Sequence, residues 1–134
     1  MQNLFNFDKL NFITAGMPLR TGKGTYPQAF DILTEMNLDG MELEFVHGVR
    51  MNDNHRKFVK EKSKDFVITA HGPFYINLNS KEVEKIDASI QRIIDTASVA
   101  SQAGAFSITF HAAFYMGGDK ETVYNQVKKQ TGRI

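Results

Sequence analysis

Val67-Ile68-Thr69-Ala70-His71 runs straight into Gly72-Pro73-Phe74-Tyr75-Ile76-Asn77-Leu78, and a long helical pattern follows. The first five residues are mostly β-branched or apolar, which suits a short buried strand. Beyond the loop, Val83, Ile86, Ile90, Ile93, Ile94 and Ala97 recur at intervals of three and four, the spacing of one buried helical stripe. Asn79 or Ser80 can cap this helix and Gly104 can close it. Strand, loop and helix together make one βα unit.

The same unit recurs on both sides. Upstream, the apolar run Leu10–Ala15 leads through the loop Gly16–Gly24 to a helix starting at Thr25. Thr25-Tyr26-Pro27-Gln28 reads as a capping box with proline in the first turn. Ala29, Leu33 and Met36 share a face of that helix, and Gly40 lies past its end. The run Met41–Val46 comes next, followed by a charged helical segment from about Asn52 to Lys64. Downstream, Phe106–His111 is a fourth run, after which Asp119 caps a helix carrying Val123 and Val127. Four βα units in succession predict an α/β fold with a parallel sheet and helical crossovers.

Composition narrows the function classes. The chain has 134 residues, no Cys, and a formal charge of +1 from 16 basic and 15 acidic side chains. Without Cys there is no disulfide framework, thiolate zinc site or thiol nucleophile. A charge near zero means that a nucleic-acid partner would be held by a local patch. No apolar run is long enough to span a membrane, and the N-terminal Met1–Leu10 lacks the apolar core of a signal peptide. The expected setting is therefore the cytoplasm, with residues 1–134 read as one domain.

Alternation sorts the strand residues by face. Met41, Leu43 and Phe45 oppose Glu42, Glu44 and Val46. Ile68 and Ala70 oppose Val67, Thr69 and His71, and Phe106, Ile108 and Phe110 oppose Ser107, Thr109 and His111. Each of these strands has an apolar face for helices and a more polar face behind it. Two polar faces end in histidine at the carboxyl end, where α/β folds build their sites. His71 and His111 stand one repeat apart on strands that would neighbour each other at ~4.8 Å. Each can be a hydrogen-bonded strand end or a metal ligand, and the matched pair favours ligands. Zinc takes about four ligands, so two histidines make half a site. Glu44 shares their face as a partner orienting a histidine, an ion-pair member or a direct ligand. His55 reads as solvated, and His47 sits suggestively after the second strand but with a different parity.

The loop Gly16-Met17-Pro18-Leu19-Arg20-Thr21-Gly22-Lys23-Gly24 looks superficially like a phosphate-binding P-loop. Five residues separate its first two glycines and Gly24 follows Lys23, so the motif fails. Arg20 and Lys23 stay as solvated charges or phosphate-backbone contacts.

His71-Gly72-Pro73-Phe74-Tyr75-Ile76-Asn77-Leu78-Asn79-Ser80 resembles the endonuclease IV family of apurinic/apyrimidinic (AP) endonucleases, within the wider xylose-isomerase-like TIM barrels. Ser89–Ala97, Ser107-Ile108-Thr109-Phe110-His111-Ala112-Ala113-Phe114-Tyr115 and Leu38–Val46 extend the likeness, which runs from about Asn11 to Gly118. The resemblance implies a (βα)4 half of an eight-stranded barrel with zinc at its mouth. It implies metal ligation by His71 and His111, and DNA contact by Phe74 and Tyr75 beside an abasic nucleotide. The activity implied is hydrolysis of DNA 5′ of abasic sites. Ala112-Ala113 stands where the family usually has a glycine, so a turn needing positive φ would be strained there. The family's other ligands come from strands five to eight, which have no counterpart here.

The sequence thus predicts the N-terminal half of an endonuclease-IV-like barrel, incomplete and inactive alone. It would be either a fragment needing a C-terminal half-barrel or a homodimer pairing its edge strands. One alternative is a xylose-isomerase-like sugar isomerase or epimerase, which Glu42 and Glu44 favour. Another is a non-catalytic half-barrel that self-associates.

Overall fold

A computed structural model describes residues 9–134. Among them, strands and helices alternate: β1 (Ile13–Ala15), α1 (Tyr26–Glu35), β2 (Gly40–Glu44), α2 (Asp53–Lys62), β3 (Val67–His71), α3 (Val83–Gln102), β4 (Ser107–Thr109) and α4 (Lys120–Thr131). The sheet order is β1-β2-β3-β4 and every pairing is parallel. This is the expected (βα)4 half-barrel. Residues 1–8, on which most of the signal-peptide reading rests, lie outside the described residues. No described helix is long and apolar enough to cross a membrane.

The two central strands match their runs closely, while the edge strands are shorter than expected. Before β1, the chain is tied at Phe12, whose amide donates to Asp39 Oδ2 at 2.8 Å and whose carbonyl accepts from Asp39 N at 2.8 Å. The Phe12 amide, and then Lys9 with Nζ 2.9 Å from Oδ1, hold the Asp39 carboxyl below the usual carboxylate range. β4 keeps only three residues, because an edge strand has a ladder on one side alone.

Helix ends show how local chemistry is used. The capping box at Thr25 and Gln28 forms, and Asn52 and Asp119 cap α2 and α4 by accepting from the amides of His55 and Thr122. The Thr122 contacts also hold the Asp119 carboxyl below its ordinary pKa. Gly104, at φ +80°, closes α3 as expected, with the Ala105 amide reaching back to Ala100 O at 2.9 Å. Two expectations need correction. Asn37 at φ +54°, rather than Gly40, provides the left-handed residue after α1. Gly40 instead opens β2, where a Cβ would lie 1.8 Å from Val67 O. The N-cap of α3 is Glu82 and not Asn79 or Ser80; the Glu82 amide donates to Ser80 Oγ, two residues before the cap.

The buried faces also differ from the simple stripe. Ala29 and Leu33 are buried on α1 together with Phe30, whereas Met36 is half exposed at the helix end. On α3, Val83 (63% exposed), Ile94 (40%) and Ala97 leave the stripe, while Ser89, Thr96 and Ala100 join it. The polar members are admissible because Ser89 Oγ donates to Lys85 O and Thr96 Oγ1 to Arg92 O, each at 2.7 Å.

Two clusters fill the space between sheet and helices. One joins Phe30 and Leu33 of α1, Met41, Leu43 and Phe45, Val59 of α2, Ile68 and Ala70 of β3, and Ala100 and Ala103 of α3. The second packs Ile76 and Leu78 of the β3–α3 loop under Ile86, Ile90 and Ile93. Each such side chain removed from water contributes about 1.5–3 kcal/mol. Loop 72–78 is therefore anchored like a core element, and its neighbours are held in place.

Candidate functional site

The polar face of the sheet carries the site. Register places Glu44 beside His71 and His71 beside Thr109, so these side chains project to the same side. One level lower, Glu42 lies beside Thr69, whose hydroxyl donates to Glu42 Oε2 at 3.4 Å, and Thr69 lies beside Ser107. His111 follows two residues after Thr109, at the carboxyl end of β4. Its ring comes to 5.3 Å from the His71 ring, centroid to centroid, tilted by 52°. Two imidazoles on one tetrahedral ion, with Zn–N near 2.0 Å, have centroids about 5 Å apart, so the spacing fits a shared metal.

His71 is already oriented. Its Nδ1 lies 2.8 Å from the Gly72 carbonyl oxygen, which can only accept, so Nδ1 is the donor, and in the neutral ring this leaves the lone pair on Nε2. The donor set stops at two histidines. Among the described residues, no group of three or more His, Asp or Glu side chains converges to hold a metal. Glu44 shares the face, and one oxygen comes within 2.9 Å of where a Cβ on Gly16 would stand. Gly16, at φ +75°, thus lets the first loop approach this carboxylate. The same corner holds a 220 Å³ cavity lined by Glu42, Glu44 and Tyr26, whose phenol is pushed above its ordinary pKa by burial.

Phe74 and Tyr75 stand at the mouth, 52% and 37% exposed, with rings edge to face at 5.2 Å. Both are braced. His47 packs edge-on against Phe74 at 6.1 Å, and the Arg92 guanidinium lies 4.7 Å over the Tyr75 ring. His47 therefore joins the mouth through an aromatic contact that its strand parity did not foretell. His55 is exposed, as expected, but also packs against Tyr26 at 5.1 Å. Arg20 is tied to Glu35 at 3.2 Å, leaving Lys23 of that loop's two cations without an ion pair among the described residues.

Two loops are stitched together by asparagines that the sequence reading gave no site role. Asn77 Oδ1 accepts from the amides of Asn79 and Phe114, and Asn79 Nδ2 donates to Phe114 O at 2.9 Å. Leu78 N also donates to Ala112 O at 2.9 Å. This fixes the segment after His111, and the strain expected at Ala112-Ala113 does not arise. Neither alanine has positive φ; Met116 (φ +51°) and Gly117 (φ +77°) make the turn instead. The signal was present in the polar Asn77 and Asn79 within an otherwise apolar loop, but their partners lie some 35 residues away.

A family model described as "Xylose isomerase-like TIM barrel" matches residues 30–134. The uncharacterized protein MJ0133 of Methanocaldococcus jannaschii is 43% identical over 125 residues, covering 93% of this chain and 45% of its own. Among solved structures, the crystal structure of SacUVDE matches with a TM-score of 0.68 at 13% identity, over 94% of this chain and 57% of that one. A D-tagatose 3-epimerase-like protein matches at 0.67 and 13% identity, over 92% and 47%. Endonuclease IV from Thermus thermophilus matches at 0.64 and 16% identity, over 92% and 47%. The chain thus spans less than half the length of its curated relative. At these identities the solved structures speak to fold alone.

Proposed function

Because the chain belongs to the xylose isomerase-like TIM-barrel family, we propose that it forms the N-terminal half of a barrel acting on DNA at abasic sites. The observation that carries this reading is the approach of the His71 and His111 rings to 5.3 Å, beside the exposed Phe74–Tyr75 pair. His71 Nε2 and the His111 ring take two positions of a zinc site, and Glu44 flanks His71 to orient the pair. When bound, zinc supplies charge for the departing oxygen and a water of lowered pKa for phosphodiester hydrolysis 5′ of the lesion. Phe74 and Tyr75 offer apolar edges to the gap that a missing base leaves in the stack. The other ligands come from a second half-barrel, belonging to a longer polypeptide or to a second copy.

A sugar isomerase or epimerase is the competing reading, and the register of Glu44 against His71 favours it. DNA separates the two. At low salt the chain should bind a duplex with one abasic site about tenfold more tightly than the intact duplex, the gain expected of an edge inserted into an open stack. Equal binding of the two duplexes would remove the nuclease reading. Zinc titration calorimetry should show weaker binding for both His71→Ala and His111→Ala. Unchanged affinity in both variants would remove the ligand assignment.

A further inference from the structure

A cavity of about 430 Å³ lies beside Phe74 and Tyr75, between the β3–α3 loop, the first half of α3 and the β4–α4 loop. Its lining includes Phe74 and Phe114, both half exposed, together with Tyr75 and Arg92. Its size is within the range of small-ligand sites. The polar groups around it are not equivalent. Lys85 Nζ is 2.6 Å from Glu82 Oε1, so its charge is met within its own helix. Ser89 Oγ accepts from Asn77 N and donates to Lys85 O, so it is spoken for. Arg92 differs: it forms no ion pair with any described carboxylate, and its contact is the face of Tyr75. A guanidinium laid on a ring keeps its in-plane N–H donors available, in the fork that matches phosphate oxygens. Ser80 Oγ, which accepts from Glu82 N, still has its own proton to donate.

A cation with free donors in a cavity also lined by exposed aromatic rings is a combination that binds single-stranded nucleic acid. We propose that this cavity holds one unstacked nucleotide of a DNA strand, its phosphate on Arg92 with Ser80 and its base against Phe114. The proposal deepens the DNA reading of the mouth and rests on it, but uses neither histidine. It adds Arg92 and Phe114 as binding residues and extends the strand's path from the mouth over the start of α3.

The test measures binding of the chain to fluorescent hexathymidylate over a range of salt. Arg92→Ala should lower affinity about tenfold and reduce the salt slope by roughly 0.7, as the loss of one phosphate contact to a single strand requires. Arg92→Lys recovers much of the slope, because charge persists. Phe114→Ala weakens binding by about 5–100-fold, whereas Phe114→Tyr keeps the ring and the affinity. Circular dichroism is the control that each variant folds. If Arg92→Ala and Phe114→Ala bind as the parent does while the abasic duplex is still preferred, this subsite is wrong and the abasic-site reading stands. If the abasic duplex is not preferred but hexathymidylate binding still depends on both residues, the subsite stands and that reading falls. Binding to neither DNA overturns both.

Discussion

The two faces of the sheet are made from alternate residues of the same strands, yet they solve different problems. On the helix side Met41, Leu43, Phe45, Ile68 and Ala70 are all buried in one cluster with three helices. On the other side Glu42, Thr69 and His71 are half-buried, and Glu44, Ser107 and Thr109 are exposed. Stability is concentrated where apolar area leaves water, and the opposite face is left free to carry carboxylates, hydroxyls and imidazoles. The polar face is itself graded. Its lower end, at Gly40 and Val67, is closed by backbone packing, whereas its upper end opens beside the aromatic loops.

That contrast can be broken by substitution. The largest effect is expected at the closed lower end. Gly40→Ala forces a methyl group to 1.8 Å from Val67 O. Backbone cannot repack as a side chain does, so the cost is on the order of 4 kcal/mol or more, read as loss of a cooperative melting transition. On the helix face, Leu43→Ala or Ile68→Ala leaves a cavity and costs about 2–5 kcal/mol by denaturant unfolding. Thr69→Ala, in the same sheet but on the open face, costs under about 1 kcal/mol. A Thr69→Ala cost matching that of Ile68→Ala would mean that the polar face is also a core.

The smallest effect is electrostatic. Asp39 has its carboxyl pKa lowered by the Phe12 amide and by Lys9. A carboxylate with a depressed folded pKa contributes stability above its unfolded pKa of about 3.9 and loses it as pH falls through the folded value. Acidification from about pH 5 to pH 2 should therefore lower the parent's Tm more than that of Asp39→Asn. Parallel pH curves would show that the Phe12 and Lys9 contacts do not persist in solution.

Much of this was legible in the sequence because it is governed by near neighbours. The alternation in Met41–Phe45 and Val67–His71 marks both faces, and the caps at Thr25 and Asp119 act within three residues. What escaped depended on distant partners. Val83 and Ile94 fit a helical stripe equally well, but the direction in which α3 crosses the sheet selected Ser89 and Thr96 in their place. Nothing in the residues around Ala112 signals that Asn77 and Leu78 hold the segment after His111. Arg92 reads as an ordinary helix cation until Tyr75 is found beneath it.

By itself, the sequence determined the order of βα units, the apolar face of each central strand, the absence of thiol chemistry and the placement of two histidines one repeat apart. Those are properties of local periodicity and residue type. Only the tertiary structure decided that Glu44 stands level with His71, that the His71 and His111 rings meet, and that two loops and α3 enclose a cavity around the Arg92 guanidinium. Parallel strands owe their register to side chains that pack across whole repeats of the chain. No short window of sequence contains both sides of such a contact.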